Sequence, residues 1–238
     1  TVRVAALAYE PNGHLINYLK NSLSELRVAI KMNTLATPEA IKAFDPDYVV
    51  VAVGANRDAP SIKGKDRKNV FDGEELRGLL FGSNKHAIKK LSYLQRIILK
   101  IGRTSQLLRN INALRFLSKL WMPLSKNIII IGGDLVGLEL AEFLVERGRK
   151  VKVLEPTGSL GPNLSIVRRS RVVHLLKEHG VDLLTNVDIN EIFRQEVSVH
   201  HEDMEKTFNM DQVIIALGAN SNISLSEMLG KLNIPHIS

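Results

Sequence analysis

The chain has 238 residues, of which 45% are hydrophobic and 24% charged, with a formal net charge of +7 and no cysteine. That length accommodates two modest domains, and that composition belongs to a soluble globular fold rather than a disordered one. The lack of cysteine excludes disulfides, a thiol nucleophile, a redox-active CxxC pair and cysteine-ligated zinc or iron–sulfur, so any electrons passing here need a bound cofactor.

In chain order, residues 2–8 are apolar, 12–26 have the spacing of a helix, 28–32 that of a strand and 38–44 that of a short helix. The stretch "DYVVVAVGAN" at 47–56 then reads as a buried β-branched strand ending in a glycine turn. It returns as "DQVIIALGAN" at 211–220, with Asp, Val, Ala, Gly, Ala and Asn in register. Each copy closes a stretch of alternating strands and helices, which implies two related nucleotide-binding halves. No glycine fingerprint precedes the first copy. A chain that opens at Thr1, inside a unit, is expected to be a piece of a longer protein. With no leader-like segment and no apolar run of bilayer length, a cytoplasmic location is expected.

The positive charge is concentrated. Between Asn84 and Asn127 there are ten Lys or Arg residues and no acid, while in the rest of the chain acidic residues slightly outnumber basic ones. Leu91, Leu94, Ile97, Ile98 and Ile101, then Leu107, Leu108, Ile111, Leu114, Leu117 and Trp121, fall at helical spacing. Two basic amphipathic helices are predicted, broken at Gly102, the second capped by Thr104 or Ser105 and stopped before Pro123. Their apolar faces are expected to dock on the body of the protein and their cationic heads to be solvated; a membrane surface, a partner subunit or a phosphate-bearing substrate are the other readings. Scarce aromatics and the absence of a recognition motif argue against nucleic acid.

From Lys126 the pattern is regular: strand 127–131, helix 135–147, strand 150–155, helix 165–179 ending at Gly180, strand 181–185, and a meander over 189–193, 197–200 and 206–210. "NIIIIGGDLVGLELAEFL" at 127–144 is an apolar strand running through a glycine turn into a helix. Gly132 and Gly137 hold the outer places of GxGxxG, and Asp134 stands where the middle glycine belongs. Gly132 allows the sharp turn, Gly137 lets the helix press on the strand, and the amides from Gly133 through Asp134, Leu135 and Val136 to Gly137 face a phosphate at the helix N-terminus. Glu155 ends the second strand, 23 positions beyond Gly132, where an acid accepts hydrogen bonds from the adenosine ribose and repels a 2′-phosphate. NAD(H) is therefore expected over NADP(H), unless Arg168, Arg169 and Arg171 fold over the ribose rather than opening a solvated helix.

Asp134 is expected to weaken dinucleotide binding. A carboxylate about 5 Å from a pyrophosphate charge costs roughly 3 kcal/mol at an effective dielectric of about 20, on the order of a hundredfold in affinity. As an N-cap, its side chain can also take the amides of Val136 and Gly137 that a phosphate would use. "HHED" at 200–203 reads as a polar hairpin turn rather than a metal site, because adjacent histidines on a strand face opposite ways. No residue is assigned a catalytic or a metal-binding role.

"WMPLSKNIIIIGGDLVGLELAEFLVERGRKVKVLEP", followed by "LGPNL", "VRRSRVVHLLKEHGVDLLTN" and the two "GAN" turns, resembles the FAD/NAD-binding region of flavoenzymes of the 2,4-dienoyl-CoA reductase and trimethylamine dehydrogenase type. The resemblance implies an NADH:flavin oxidoreductase of pyridine nucleotide-disulfide oxidoreductase-like architecture. In that plan a flavin barrel with an iron–sulfur cluster precedes a FAD-type domain, into which an NAD-type domain is inserted. It predicts an α/β chain with a Rossmann-like, three-layer FAD/NAD(P)-binding domain, a partial second nucleotide-binding domain and a helical insert. The corresponding boundaries are 1–83 for the partial FAD-type domain, 84–125 for the basic insert, 126–217 for the NAD-type domain and 218–238 for the return. The candidate cofactor residues are Gly132, Gly133, Asp134, Leu135, Val136, Gly137, Glu155 and Gly218. The implied partners are a nicotinamide dinucleotide, FAD in the full-length protein, and the barrel outside this chain, whose absence would leave the isolated chain inactive. The rival expectation is a catalytically silent module, used for packing or partner recruitment, with its site weakened by Asp134.

Overall fold

The hydrophobic runs of the second half of the chain assemble into a parallel sheet. The computed structural model describes residues 11–56, 60–80, 84–104, 111–218 and 220–238. These fall into two units, one of residues 11–16 with Ala59–Gly218 and the other of Asn17–Asp58 with Ala219–Ser238, so that helix α1 (Pro11–Glu25) contributes to both.

In the larger unit, strands β3 (Val70–Asp72), β4 (Asn127–Ile131), β5 (Lys150–Leu154), β6 (Asp182–Leu184) and β10 (Gln212–Ile215) form a five-stranded parallel sheet in the order β3-β10-β4-β5-β6. Side chains alternate across a strand, so consecutive isoleucines serve two cores. Ile128 and Ile130 meet Leu138, Ala141 and Leu144 of helix α7 (Leu135–Val145) and Leu176 of helix α8 (Ile166–Glu178). Ile129 and Ile131 meet Ile192, Val197 and Val199 of an antiparallel meander, β7 (Asp188–Ile192), β8 (Glu196–His201) and β9 (Met204–Asn209). Helices, parallel sheet and meander are the three expected layers. The "HHED" segment forms the β8–β9 turn, with Glu202 and Asp203 both in the left-handed region.

Two expectations about boundaries change. Residues 70–80, placed in sequence with the FAD-type part, belong to the larger unit: Val70, Phe71 and Asp72 pair in parallel with Val213, Ile214 and Ile215. Helix α3 (Gly73–Leu80) follows, started by a reciprocal cap in which Asp72 Oδ1 accepts from the Glu75 amide at 2.7 Å and Glu75 Oε2 from the Asp72 amide at 3.3 Å. The basic segment forms α4 (Lys85–Lys90), α5 (Tyr93–Thr104) and α6 (Ile111–Leu120). Gly102 lies within α5 and does not break it; Ser105 lies outside the described residues. As expected, Pro123 follows the last helix.

Docking of this segment is partial. Ala87, Leu91 and Leu99 pack with Phe71 and Leu79, whereas Leu94, Ile97, Ile98 and Ile101 on the other side of α5 are exposed. Lys90 enters the body itself, its Nζ donating to Glu75 Oε2 and to Val70 O, each at 2.7 Å, over the Phe71 ring. His86 Nδ1 meets the other Glu75 oxygen at 2.7 Å. At the opposite end, the buried Arg147 guanidinium donates to Ser118 Oγ of α6 at 3.0 Å and to Phe143 O at 2.8 Å, stacked on the Phe143 ring. Arg147→Met, which keeps the stem and deletes the donors, is expected to lower stability by about 2 kcal/mol. A urea midpoint unchanged from the parent's would show that Arg147 does not hold α6.

The smaller unit is thinner. Helix α1 (Pro11–Glu25) leads toward a segment that carries no strand at the predicted 28–32, where Val28, Ile30 and Met32 are exposed and no ladder partner is present among the described residues. Helix α2 (Pro38–Phe44) begins as predicted, Thr37 Oγ1 accepting from the Ala40 amide. The first repeat copy is a correction: it is not one buried strand, since its apolar run is strand only at Val49–Val50 (β1), paired with β12 (His236–Ile237), and Val50 is 74% exposed. The second copy is core because it lies between β3 and β4, while β1 has one strand neighbour among the described residues. The two copies meet where their "GAN" turns end, as β2 (Ala55–Asn56) pairs antiparallel with β11 (Asn220–Ser221). Helix α9 (Ser224–Lys231) packs near β12 and α2. Among the described residues no helix is long and apolar enough to cross a membrane.

Candidate dinucleotide site

In a parallel sheet wound in two directions, ligands settle at the carboxyl ends of the strands where the winding reverses. Here the chain proceeds from β4 to β5 and β6 on one side, with β10 and β3 on the other, so the reversal lies between β4 and β10. The glycine turn sits there. Gly132 follows β4 with φ +113, a left-handed conformation that side chains rarely adopt, and a Cβ there would stand 2.6 Å from Ala216 O of the adjoining β10 end. Gly137, in the first turn of α7, would put a Cβ only 1.9 Å from Gly132 O. Two of the fingerprint's three requirements, a sharp turn and close seating of the helix, are thus met by geometry.

The third, an open approach for phosphate, depends on what surrounds the amides. Residues 132, 133 and 137 are buried, Asp134 and Leu135 half-buried and Val136 exposed, so the helix N-terminus opens outward at 134–136. By helix geometry the first-turn amides have no acceptor within the helix. Asp134 is the N-cap residue, in extended conformation, yet makes no side-chain capping bond. The predicted capture of the Val136 and Gly137 amides is absent; the carboxylate instead accepts from Asn163, Nδ2 to Oδ2 at 2.7 Å and the amide to Oδ1 at 3.4 Å. The Asp134 carboxylate therefore does not occupy the first-turn amides.

Glu155 stands at the end of β5 as predicted, but is buried and engaged. Its Oε2 accepts from the Gly133 amide at 2.5 Å, and its Oε1 from the Thr157 amide at 2.8 Å and the Thr157 hydroxyl at 2.7 Å. The carboxylate thus joins the glycine turn to the loop that follows β5. That loop is pinned again where the Gly161 amide donates to Gly133 O at 2.8 Å, and Leu160 lies over Gly133. Sequence spacing pointed to Glu155 but not to Thr157, or to Gly161 and Asn163 of the irregular "LGPNL" segment. Arg168 pairs with Glu139 of α7, a contact between exposed groups, and so does not reach over toward Glu155. Gly218 is exposed, with φ +59 and open space where a Cβ would be, three residues past β10. Among the described residues the site contains no triad or other nucleophilic grouping.

Comparison with known proteins identifies relatives and a family. The chain is 28% identical over 208 residues to a bilirubin reductase of Mediterraneibacter gnavus, covering 87% of this chain and 26% of that protein. It is 24% identical over 203 residues to an NADH oxidase of Thermoanaerobacter brockii, covering 85% of this chain and 26% of that protein. The chain thus spans about a quarter of the length of these curated relatives. The solved 2-naphthoyl-CoA reductase has the same fold along all of this chain, with a TM-score of 0.73 at 24% identity, and this chain covers 31% of it. Residues 15–235 match the pyridine nucleotide-disulphide oxidoreductase family model, and the chain belongs to that family.

Proposed function

We propose that this chain is the nucleotide-handling region of a flavin-dependent oxidoreductase of the NADH:flavin type: it takes NAD(H) at the glycine turn and passes its electrons toward FAD and a flavin barrel outside these 238 residues. The observation that carries the reading is the glycine turn at the β4–β10 reversal, with Gly137 seated on Gly132 and the first-turn amides of α7 left to a phosphate. Residues 17–58 and 219–238 would then be the partial FAD-type unit, and residues 84–125 a basic insert within the larger unit, between β3 and β4. The nicotinamide, when bound, supplies the hydride. The chain's own residues bind and orient: the amides of Leu135 and Val136 receive the pyrophosphate, and Glu155 accepts from the ribose hydroxyls while exchanging part of its contact with Gly133. Glu155 also repels a 2′-phosphate, and Arg168, paired with Glu139, does not neutralise it; both favour NAD(H) over NADP(H). The similarity to an NADH oxidase supports the same choice. One observation favours the rival, a silent packing module: Glu155 already occupies the Gly133 amide.

Calorimetric titration with NADH, NADPH and ADP separates the two. Micromolar NADH binding is expected, with NADPH at least about tenfold weaker, in line with one repelled phosphate charge in a screened site. Glu155→Gln, which removes the charge and keeps an acceptor, should narrow that ratio. Equal affinity for both nucleotides in the unmodified chain would refute the choice of NAD(H), and binding of neither would leave the silent module.

A further inference from the structure

Asp134 places a negative charge at the mouth of the site the fold offers to a phosphate, and the structure shows what is done with it. Its backbone has the extended conformation of an N-cap, φ −87 and ψ −171, from which an Asp side chain ordinarily bonds the amides two and three residues on. It does not do so here, because the Asn163 side-chain amide takes Oδ2 at 2.7 Å and its backbone amide approaches Oδ1 at 3.4 Å. Asn163 is itself held in place. Gly161 is in the left-handed region, its amide donates to Gly133 O at 2.8 Å, and the Leu164 amide returns to Gly161 O at 3.0 Å. A Cβ on Gly161 would stand 2.8 Å from Leu164 and 3.2 Å from Leu138 of α7, so the loop lies directly against the helix whose N-terminus is at issue.

We propose that Asn163 is a positioning residue for dinucleotide binding: by holding the Asp134 carboxylate to one side, it keeps the first-turn amides of α7 available to a phosphate. This rests on the dinucleotide reading above. The chemistry is an exchange of acceptors. With Asn163 in place the carboxylate has two donors outside the helix; without it, the nearest donors are the amides that a pyrophosphate needs, and the carboxylate both occupies them and repels the ligand. An asparagine suits the task because its amide donates without adding a charge that would itself compete for the phosphate.

The test is calorimetric titration of the chain with NADH and with ADP, for the unmodified protein, Asn163→Ala, Asp134→Gly and the double variant. Asn163→Ala is expected to weaken both ligands about tenfold, and Asp134→Gly in the same chain to restore them to at least the unmodified affinity. Restoration is the decisive readout, since a loop merely loosened by losing Asn163 is not repaired by a second substitution 29 positions away. Unchanged binding in Asn163→Ala, or a loss that Asp134→Gly leaves in place, overturns the proposal. If the unmodified chain fails to bind while Asp134→Gly binds, Asn163 does not clear the site, and the proposal falls while the dinucleotide reading stands. If no variant binds either ligand, the reading itself falls and this inference with it.

Discussion

Gly137→Ala is expected to abolish NADH binding and to lower stability by about 2–3 kcal/mol. An alanine is ordinarily the better helix former by about 1 kcal/mol, so intrinsic propensity predicts a gain. The contact reverses the sign: the added Cβ would lie 1.9 Å from Gly132 O and 2.9 Å from Gly132 C, both backbone atoms that cannot rotate away. Either α7 moves off the turn or the turn opens, and each undoes the alignment of amides with the carboxyl end of β4. Overpacking of this kind costs about 1–3 kcal/mol. Gly148→Ala is the control, since nothing stands within 4 Å of its Cβ position and only its φ of +69 is unfavourable. It is expected to lose about 1 kcal/mol and to bind normally. Urea unfolding and NADH titration of the two variants check this; a Gly137→Ala chain that binds like the parent would mean that α7 does not rest on the turn.

Lys90→Met is expected to destabilise the larger unit by about 3 kcal/mol, because removing one member of a buried pair strands the other. Lys90 and Glu75 side chains are 9% and 10% exposed, and the Glu75 carboxylate loses its cation and one of its hydrogen bonds. The pair replacement Glu75→Gln with Lys90→Met should recover most of the loss. The pH dependence follows from Glu75. Burial raises its pKa, but the hydrogen bonds from Lys90 and His86 outweigh burial and hold it below the ordinary value of 4.5. A carboxylate depressed on folding contributes stability above its unfolded pKa and loses it as pH falls through the folded one. The difference between parent and Lys90→Met in urea midpoint should therefore be full at neutral pH and shrink below about pH 4.5. A difference independent of pH would assign the effect to packing of the lysine stem on Phe71.

The parts of the fold that could be read from residue order were those whose partners are dictated by composition alone. Residues 128–131 are apolar on both faces, which only a sheet covered on both sides tolerates, and the layers over Ile128 and Ile129 follow. Val28, Ile30 and Met32 have the same chemistry and form no strand, because β-branched residues fit a ladder without guaranteeing a neighbour. Val70–Asp72 went unpredicted because three residues carry no periodicity; the usable signal was Asp72 three places before Glu75, a helix start whose preceding residues must then be extended. Gly102 does not stop α5, since a helix accepts a glycine for about 1 kcal/mol.

Of the candidate site, Gly132, Gly137 and Glu155 were legible because each is required by the backbone path or by strand length. Asp134 was legible as an anomaly only. Whether its carboxylate turns toward α7 or away is decided by Asn163, and nothing in the spacing of "LGPNL" says that this irregular loop returns to the glycine turn.

The pairing of β1 with β12 and of β2 with β11 bears on the order in which the chain acquires structure. Val49 has to wait for His236, and Asn56 for Asn220, whereas every strand of the five-stranded sheet lies between residues 70 and 215. Closing the smaller unit first would mean confining a long unstructured loop, an entropic cost that falls once the intervening sheet between residues 70 and 215 has folded. Among the described residues β1 therefore stays unpaired until β12 is in place, and the smaller unit closes after the sheet rather than before it.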